Sequence, residues 1–283
     1  MNISKTLIQK IRGLQTSKKV LVMGSAVIDV ILQLDKLPVT GQDIMAEHKK
    51  TIVGGCAYNV TNILKQLNFK HDLIVPVGRG ANADLIRKQL KDDNHDIVLE
   101  EDTQDNGWNL SIVEKGGERT FITIPGLELN WKSAWAEQID LSPYDFICLS
   151  GYELEGSSGQ VVLKTLESKA ESCRIVLDPG PRVGYIGQEV WDKMFGRGTI
   201  LHVNQGELNQ LTGEQDVMNG ARKAFQMTNQ PVIVTLGKDC TLYYTAEGSE
   251  VLRVKSKCSR YNWCGRFTYR SVPGRSCLRY VHP

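Results

Sequence analysis

Short apolar runs alternate with helical patterns along most of the chain, and this alternation restricts the fold more than any other feature. The apolar runs, which predict strands, span residues 19–34 with an interruption at Gly24, and residues 71–78, 145–151, 174–180, 199–204 and 231–237. The segments that repeat apolar residues three and four apart, as one face of a helix does, span residues 54–68, 81–93, 159–172 and 216–229. Strands joined through helices form mainly parallel sheets that are covered on both faces. The sequence therefore predicts an α/β fold with a mainly parallel central sheet flanked by helices.

One segment departs from this rhythm. Residues 109–124 form a β-hairpin pattern, with two strands around Gly116 and Gly117. We expect this hairpin to join the segment around residues 30–52 in a small β-sheet, the lid, that stands off the main sheet. The expected architecture is a single domain over residues 1–283, with lid segments at about 30–52 and 107–124.

Polar residues recur where the predicted strands end. In open α/β sheets, ligands bind beyond the carboxyl ends of the strands. The polar residues at these places are Asp29, Asn59, Asp178, Asn204, Glu207 and Thr235. Their distribution favours an enzyme that acts on a small molecule.

The stretch "VGGCAYN" places Gly54 and Gly55 immediately before a predicted helix. Glycines at that position let a ligand approach the backbone N–H groups of the first turn. Asn59, inside that turn, offers its amide to a hydroxyl-rich ligand. The stretch alone is equally compatible with a simple tight turn.

The stretch "NQGE" follows a predicted strand and also has two interpretations. Asn204 and Glu207 have the spacing of a capping box at a helix start. Alternatively, Glu207 is a carboxylate at the ligand-binding edge, placed to hold Mg²⁺ through water. The stretch "VTLG", with Thr235 and Gly237, ends another strand with a glycine turn suited to a nucleotide.

Two nucleotide-binding signatures are missing. The G-x-G-x-x-G pattern of nicotinamide cofactor sites is absent after Gly24, and no G-x-x-x-x-G-K-[ST] stretch occurs. A nicotinamide-dependent enzyme is therefore disfavoured.

Composition excludes several other classes. No stretch approaches the roughly 20 apolar residues of a membrane span, and the first residues contain no apolar signal-peptide core. The seven cysteines are scattered singly, which favours a reducing cytoplasm. Eight Lys or Arg and no Asp or Glu follow Glu250, yet we expect no nucleic-acid or membrane partner. The spacing of Cys258, Cys264, Cys277 and His282 does not match a zinc site.

Taken in order, "GSAVID", "GGCAYN", the hairpin, "NQGE" and "VTLG" resemble the ribokinase (PfkB) family of sugar and nucleoside kinases over about residues 20–257. The resemblance implies a ribokinase-like fold and ATP-dependent phosphorylation of a hydroxymethyl group on a sugar or nucleoside. It implies ATP and Mg²⁺ as cofactors, with a monovalent cation as a further candidate. It also allows a homodimer that forms through the lids.

The resemblance assigns residues to two groups. It implies substrate contacts for Asp29, Gly54, Gly55, Asn59 and Glu153. It implies nucleotide contacts for Asn204, Glu207, Thr235 and Gly237, with Glu207 serving the metal. Cys56 stands where ribokinases carry Lys, so ribose itself is not the expected substrate.

The family's D-T-x-G-A-G-D signature, whose last Asp is the catalytic base, is absent after Val254. No residue is nominated as the catalytic base for that reason, and we expect low activity from this chain. A non-catalytic sugar- or nucleoside-binding protein is the alternative. The stretch "RYNWCGRF" (260–267) has a codon choice whose neighbouring frame reads D-T-I-G-A-G-D. The hypothesis is that a one-nucleotide shift near Cys258 left residues 258–283 out of frame.

The first prediction concerns the encoding DNA. We expect its neighbouring frame to read D-T-I-G-A-G-D across codons 260–267, and sequencing the DNA checks this. Codons that cannot encode the signature in either other frame contradict the hypothesis.

Overall fold

The structure, a computed structural model, describes residues 16–237 and 240–253. The strands in these ranges are β1 (Val20–Met23), β2 (Val27–Leu34), β3 (Glu47–Gly54), β4 (His71–Ile74), β5 (Pro76–Val77), β6 (Leu99–Glu100), β7 (Trp108–Glu114), β8 (Arg119–Ile124), β9 (Phe146–Ser150), β10 (Arg174–Asp178), β11 (Thr199–Asn204), β12 (Val232–Thr235), β13 (Cys240–Thr245) and β14 (Gly248–Arg253). The helices are α1 (Cys56–Leu67), α2 (Ala81–Asp92), α3 (Ser133–Ala136), α4 (Gly156–Thr165), α5 (Gln188–Phe195), α6 (Gln205–Thr212) and α7 (Val217–Thr228). Short 3-10 turns occupy Leu127–Leu129, Tyr152–Leu154, Leu166–Ser168 and Gly180–Arg182.

The large sheet has eight strands in the order β14-β13-β12-β11-β10-β9-β1-β4. The strands from β4 to β12 in this order run parallel, while β13 and β14 add antiparallel pairs at one side. The mainly parallel central sheet predicted from the sequence is confirmed. Its α/β character follows from the helices that connect consecutive strands.

A separate sheet contains both predicted lid segments. Its strand order is β3-β2-β7-β8, and the β2–β7 pair is parallel while the other pairs are antiparallel. The hairpin around Gly116 and Gly117 forms β7 and β8, as expected. The register between β2 and β3 shifts between Ile31 and Leu32, which pair with Lys50 and His48, so the extra residue Lys49 forms a bulge in β3.

The two faces of the large sheet are covered by different apolar clusters. In β1, Leu21 and Met23 belong to one buried cluster and Val22 belongs to the other. Side chains alternate between the faces of a strand, so a strand buried on both faces needs a continuous apolar run. The residues of β1 are therefore all apolar because the strand is buried on both faces.

Residues with left-handed backbone end several helices. Asn68 (φ 62°) follows α1, Gly213 (φ 74°) follows α6 and Asn229 (φ 49°) follows α7. Glycine and asparagine adopt this conformation at the lowest energetic cost, and it turns the chain away from the helix axis.

The sequence interpretation was wrong in two places. The apolar run 71–78, predicted as one strand, is divided between β4 of the large sheet and β5, which pairs with β6 instead. Pro76 lacks the N–H that a continuing central strand would donate, which favours the break. The helix predicted over 159–172 begins earlier, at Gly156, and its α-helical part ends at Thr165.

Several expectations fall outside the described residues. They include the out-of-frame segment 258–283 and the four residues weighed as a zinc set. Among the helices that the structure describes, none combines the length and apolarity of a membrane span.

Candidate active site

The carboxyl ends of five parallel strands, β1, β9, β10, β11 and β12, lie side by side at one edge of the large sheet. Asn204 ends β11 and pairs with Thr235, which ends β12. Asp178 ends β10 and pairs with Ser150 of β9. Three strand spacings, about 14 Å, separate β1 from β11. The edge therefore has one end at β1 and another at β11 and β12.

Asp29 lies in β2, and only 4% of it is exposed. Its Oδ1 accepts a hydrogen bond of 2.9 Å from Asn109 Nδ2 in the neighbouring strand. A Cβ on Gly54 would overlap Asp29 Oδ2 and lie 2.8 Å from its Cγ. Burial raises the pKa of Asp29, and the bond from Asn109 opposes the rise. The structure thus brings Asp29 and Gly54 together, and glycine makes room for the carboxylate.

Gly55 precedes α1 and lies against the turn that joins β1 and β2. Its φ of 97° is in the left-handed region, and a Cβ there would lie 2.6 Å from the backbone oxygen of Ser25. Both facts require glycine at this position. Asn59, one turn into α1, donates its backbone N–H to Gly55 O at 3.0 Å, and its side chain is half-buried.

Glu153 lies beneath the same turn, with none of its surface exposed. Its Oε2 accepts hydrogen bonds from the backbone N–H of Ser150 at 3.2 Å and from its hydroxyl at 2.5 Å. A Cβ on Gly24 would lie 2.8 Å from Glu153 Oε1. Burial raises the pKa of Glu153, and bonds from Ser150 and Ser25 oppose the rise. This predicted substrate residue is thus fully enclosed beneath the turn that joins β1 and β2.

Asn204 and Glu207 form the capping box that their spacing predicted. Asn204 Oδ1 accepts from Glu207 N at 2.9 Å, and Asn204 N donates to Glu207 Oε2 at 2.7 Å. Asn204 Nδ2 also donates to Glu207 Oε1 at 2.6 Å. Burial raises the pKa of Glu207, the bond from Asn204 opposes the rise, and the negative charge of Asp178 adds to it.

Sequence reasoning missed His202, which lies in β11 beside Asp178. His202 is 2% exposed, and its Nδ1 is 2.8 Å from Asp178 Oδ2. Asp178 Oδ1 accepts from the Gly180 N–H at 3.1 Å. The apolar run "TILHVN" concealed the histidine, since only the register of β10 and β11 shows that an aspartate lies opposite it. The pair occupies the middle of the edge.

Thr235 and Gly237 lie at the same end of the edge as Asn204. Thr235 Oγ1 donates to Val203 O at 3.4 Å, and Gly237 has an exposed left-handed backbone with φ of 76°. β14 ends nearby, because Arg253 pairs with Cys240 at the start of β13. The main chain thus returns to this edge at the last described residue.

Two surface cavities lie away from this edge, and no predicted site residue lines either of them. One, of about 370 Å³, lies beside the ion pair of Asp35 and Lys115. The other, of about 360 Å³, lies at the opposite edge of the large sheet, near Arg174 and Gly198.

The sequence of the chain is similar to those of known carbohydrate kinases. The sequence model described as pfkB family carbohydrate kinase matches residues 17–258. An uncharacterized sugar kinase of Escherichia coli (strain K12), YegV, is 30% identical over 241 residues, which are 83% of this chain and 74% of that protein.

Solved structures share the fold. The structure of ribokinase from Giardia lamblia superposes with a TM-score of 0.76 at 15% identity, over 87% of this chain and 79% of that one. Arabidopsis thaliana ribokinase complexed with ribose and ATP superposes with a TM-score of 0.64 at 17% identity, over 84% and 78%. These similarities confirm the expected ribokinase-like fold.

The second prediction concerns the buried carboxyl group of Glu153. A carboxyl whose pKa is higher in the folded chain binds more protons there, so its contribution to the free energy of unfolding falls as the pH rises. We expect Glu153→Gln to remove part of the stability that the protein gains between about pH 8 and about pH 5.

Urea denaturation at the two pH values measures this gain. The control Glu118→Gln changes an exposed carboxylate of the β7–β8 hairpin and should keep the wild-type gain. An undiminished gain in Glu153→Gln means that burial does not hold a proton on this group.

Proposed function

The chain belongs to the pfkB family of carbohydrate kinases, and we propose that it uses ATP to phosphorylate a hydroxymethyl group of a sugar or nucleoside. One observation carries the proposal: Asp29 with Gly54 lies towards one end of the edge, and Asn204 with Glu207 lies at the other. A sugar at the first end and a triphosphate at the second would meet above β9 and β10.

The sugar end offers hydrogen-bond acceptors and close backbone approach. Asp29 is buried, so a ligand hydroxyl that donates to its carboxylate would compete with few waters. Gly55 and the first turn of α1 leave backbone N–H groups accessible to a small ligand. Asn59 supplies an amide from the same turn. Glu153 acts from below, through Ser150 and the turn at Gly24.

The nucleotide end has the chemistry that a phosphate and Mg²⁺ require. The amino end of α6 favours negative charge, and Gly237 leaves an exposed turn beside it. Glu207 and Asp178 are neighbouring carboxylates, which suit a cation that keeps several of its waters. When bound, Mg²⁺ would neutralise part of the phosphate charge, and Glu207 would hold it through water.

The four-stranded sheet would act as the lid. β2 carries Asp29, so a movement of that sheet would bring the carboxyl group of Asp29 and the neighbouring strands over the sugar at the same time. Closure would exclude water, so that the substrate hydroxyl receives the phosphoryl group.

The D-T-x-G-A-G-D segment would have to reach the same edge. β14 ends at this edge, which supports the idea that the residues following it in a chain with the restored reading frame complete the site. Phosphoryl transfer depends on positioning and electrostatic stabilisation, so replacing that segment removes both together with the base. We therefore propose low turnover for this chain.

Association and location stay proposals. β8 is an edge strand of the four-stranded sheet, and its Phe121, Ile122 and Ile124 are exposed. Exposed apolar side chains on an edge strand favour pairing with another copy, which supports a homodimer through the lids. A cytoplasmic location and the extent of the single domain remain predictions.

The third prediction tests the proposed reaction. We expect an ATP-consumption assay with a panel of sugars and nucleosides to give turnover for a frame-restored chain. We expect the chain as given to be slower by about a thousandfold or more, because a general base and phosphate-binding N–H groups are lost together.

Equal turnover of the two chains would contradict the proposal that the chain as given has low activity. Tight sugar binding with no ATP consumption by the restored chain favours the non-catalytic alternative instead.

The fourth prediction separates helix capping from nucleotide binding. Asn204→Ala and Asp216→Ala each remove a side-chain cap, from α6 and α7 respectively, and each should cost about 1 kcal/mol of stability. Only Asn204→Ala should also weaken the binding of ATP with Mg²⁺, by about tenfold, because Glu207 Oε1 loses the side-chain amide that orients it and the carboxylate keeps only the bond from the backbone N–H. Thermal unfolding and calorimetric titration measure the two effects. Equal ATP affinities of the two variants would contradict the nucleotide role of Asn204.

A further inference from the structure

Glu128 joins the two ends of the β7–β8 hairpin. It lies in the 3-10 turn Leu127–Leu129 and is 2% exposed. Its Oε2 accepts a hydrogen bond of 2.9 Å from the N–H of Gly107, which precedes β7. Its Oε1 accepts a bond of 3.0 Å from the N–H of Gly126, which follows β8. One buried carboxylate therefore binds both strands of the hairpin at their base.

The two glycines leave no space for a side chain at this base. A Cβ on Gly107 would overlap Glu128 Oε1 and lie 2.8 Å from Gly126 N. A Cβ on Gly126 would lie 2.7 Å from Asp105 O and overlap Gly107 N. The close approach of the two backbones lets a single carboxylate reach both N–H groups.

The residues just before Gly107 attach this base to the rest of the protein. Asp105 Oδ1 accepts from Ala83 N at 2.8 Å, at the start of α2. Asn106 Oδ1 accepts from Gly78 N at 2.8 Å, and its Nδ2 donates to Pro76 O at 2.9 Å. The base of the hairpin is thus fixed by directed polar bonds on the side of the large sheet.

A short path leads from this base to the predicted sugar end. Gly107 O accepts from Ile28 N at 3.2 Å, and Asp29 is the next residue along β2. Asn109, two residues after Gly107, donates to Asp29 Oδ1. A shift of Gly107 would therefore move both the backbone that carries Asp29 and the amide that orients its carboxylate.

We propose that Glu128 is a positioning residue, a latch that fixes the angle of the four-stranded sheet at its base and thereby the orientation of Asp29. The part of this proposal that concerns sugar binding rests on the proposed function. The latch itself concerns the ligand-free protein. The two N–H groups bond to different oxygens of Glu128, so only a side chain with two acceptor oxygens keeps this geometry.

Hydrogen exchange of backbone amides in the full chain tests the latch, and it needs no ligand. In Glu128→Gln, one N–H faces the side-chain NH₂ group and loses its acceptor. We expect the amides of Gly107, Gly126 and strands β7 and β8 to exchange about tenfold faster or more, as the loss of a charge-assisted hydrogen bond produces. Amides of β9, β10 and β11 should exchange as in the wild type.

Val190→Ala is the matched control, because it makes a cavity beside α5, in the cluster that includes the central strands. This variant should lower overall stability and leave the ratio of the exchange rates of the hairpin amides and the central-strand amides as it is in the wild type. Amide exchange that is accelerated uniformly in Glu128→Gln, or that is not accelerated in the hairpin, would overturn the proposal of a latch. Should Glu128→Gln fail to fold, Glu128→Asp keeps the charge but shortens the side chain by one CH₂ group, so that the carboxylate no longer reaches both N–H groups, and it should accelerate the same hairpin amides.

The functional part has its own readout. In a frame-restored chain that phosphorylates a sugar, Glu128→Gln should raise the KM for that sugar about tenfold and leave the KM for ATP within about twofold. An equal rise in both constants, or none in the sugar KM, overturns the link to Asp29. If exchange changes as expected but no sugar or nucleoside is phosphorylated or bound, the latch stands and the proposed function fails.

Discussion

Three carboxyl groups are buried close to the turns that join the two sheets, and each occupies space that glycine leaves. Asp29 lies against Gly54, Glu153 against Gly24, and Glu128 between Gly107 and Gly126. Removing a carboxylate from water is costly unless N–H or O–H groups surround it. Burial raises the pKa of all three groups, while neighbouring donors oppose the rise. The backbone path around the sugar end is therefore dictated by the requirements of these carboxyl groups as much as by apolar packing.

The two sheets are stabilised differently as a consequence. The large sheet has apolar side chains on both faces, and such burial is strong but imposes little direction. The base of the four-stranded sheet depends on hydrogen bonds that backbone N–H groups donate to the Asn106 side chain, to the Asp105 backbone and side chain, and to the Glu128 carboxylate. Hydrogen bonds to charged groups are directional and strengthen in a water-poor environment. Such bonds can fix the angle between the four-stranded sheet and the rest of the protein. A lid needs a fixed angle in each state if its open and closed states are to be distinct.

The fold was predictable where it follows from local patterns, and the site was predictable only in part. Alternating apolar runs and helices specify a parallel sheet, and the carboxyl edge of that sheet follows from its topology. The glycines at 54 and 55 were expected to serve a ligand. The structure shows that Gly54 also makes room for Asp29, which depends on the register of β2 and β3. His202 and Glu128 were missed for the same reason. Each is a single polar residue in an unremarkable stretch, and each has a partner that lies far away in sequence, Asp178 for His202 and Gly107 for Glu128.

The capping box and the proposed metal role of Glu207 need not exclude each other. An ionised carboxylate has about four lone-pair sites, and Asn204 occupies one on each oxygen through its backbone N–H and its side-chain amide. The remaining sites could accept hydrogen bonds from the waters of a hydrated cation, since Mg²⁺ commonly keeps its waters when it binds proteins. Burial raises the pKa of Glu207 and the negative charge of Asp178 adds to the rise, and a cation placed between the two carboxylates would oppose both effects. A helix cap that holds the carboxylate still would therefore also prepare it for a hydrated cation.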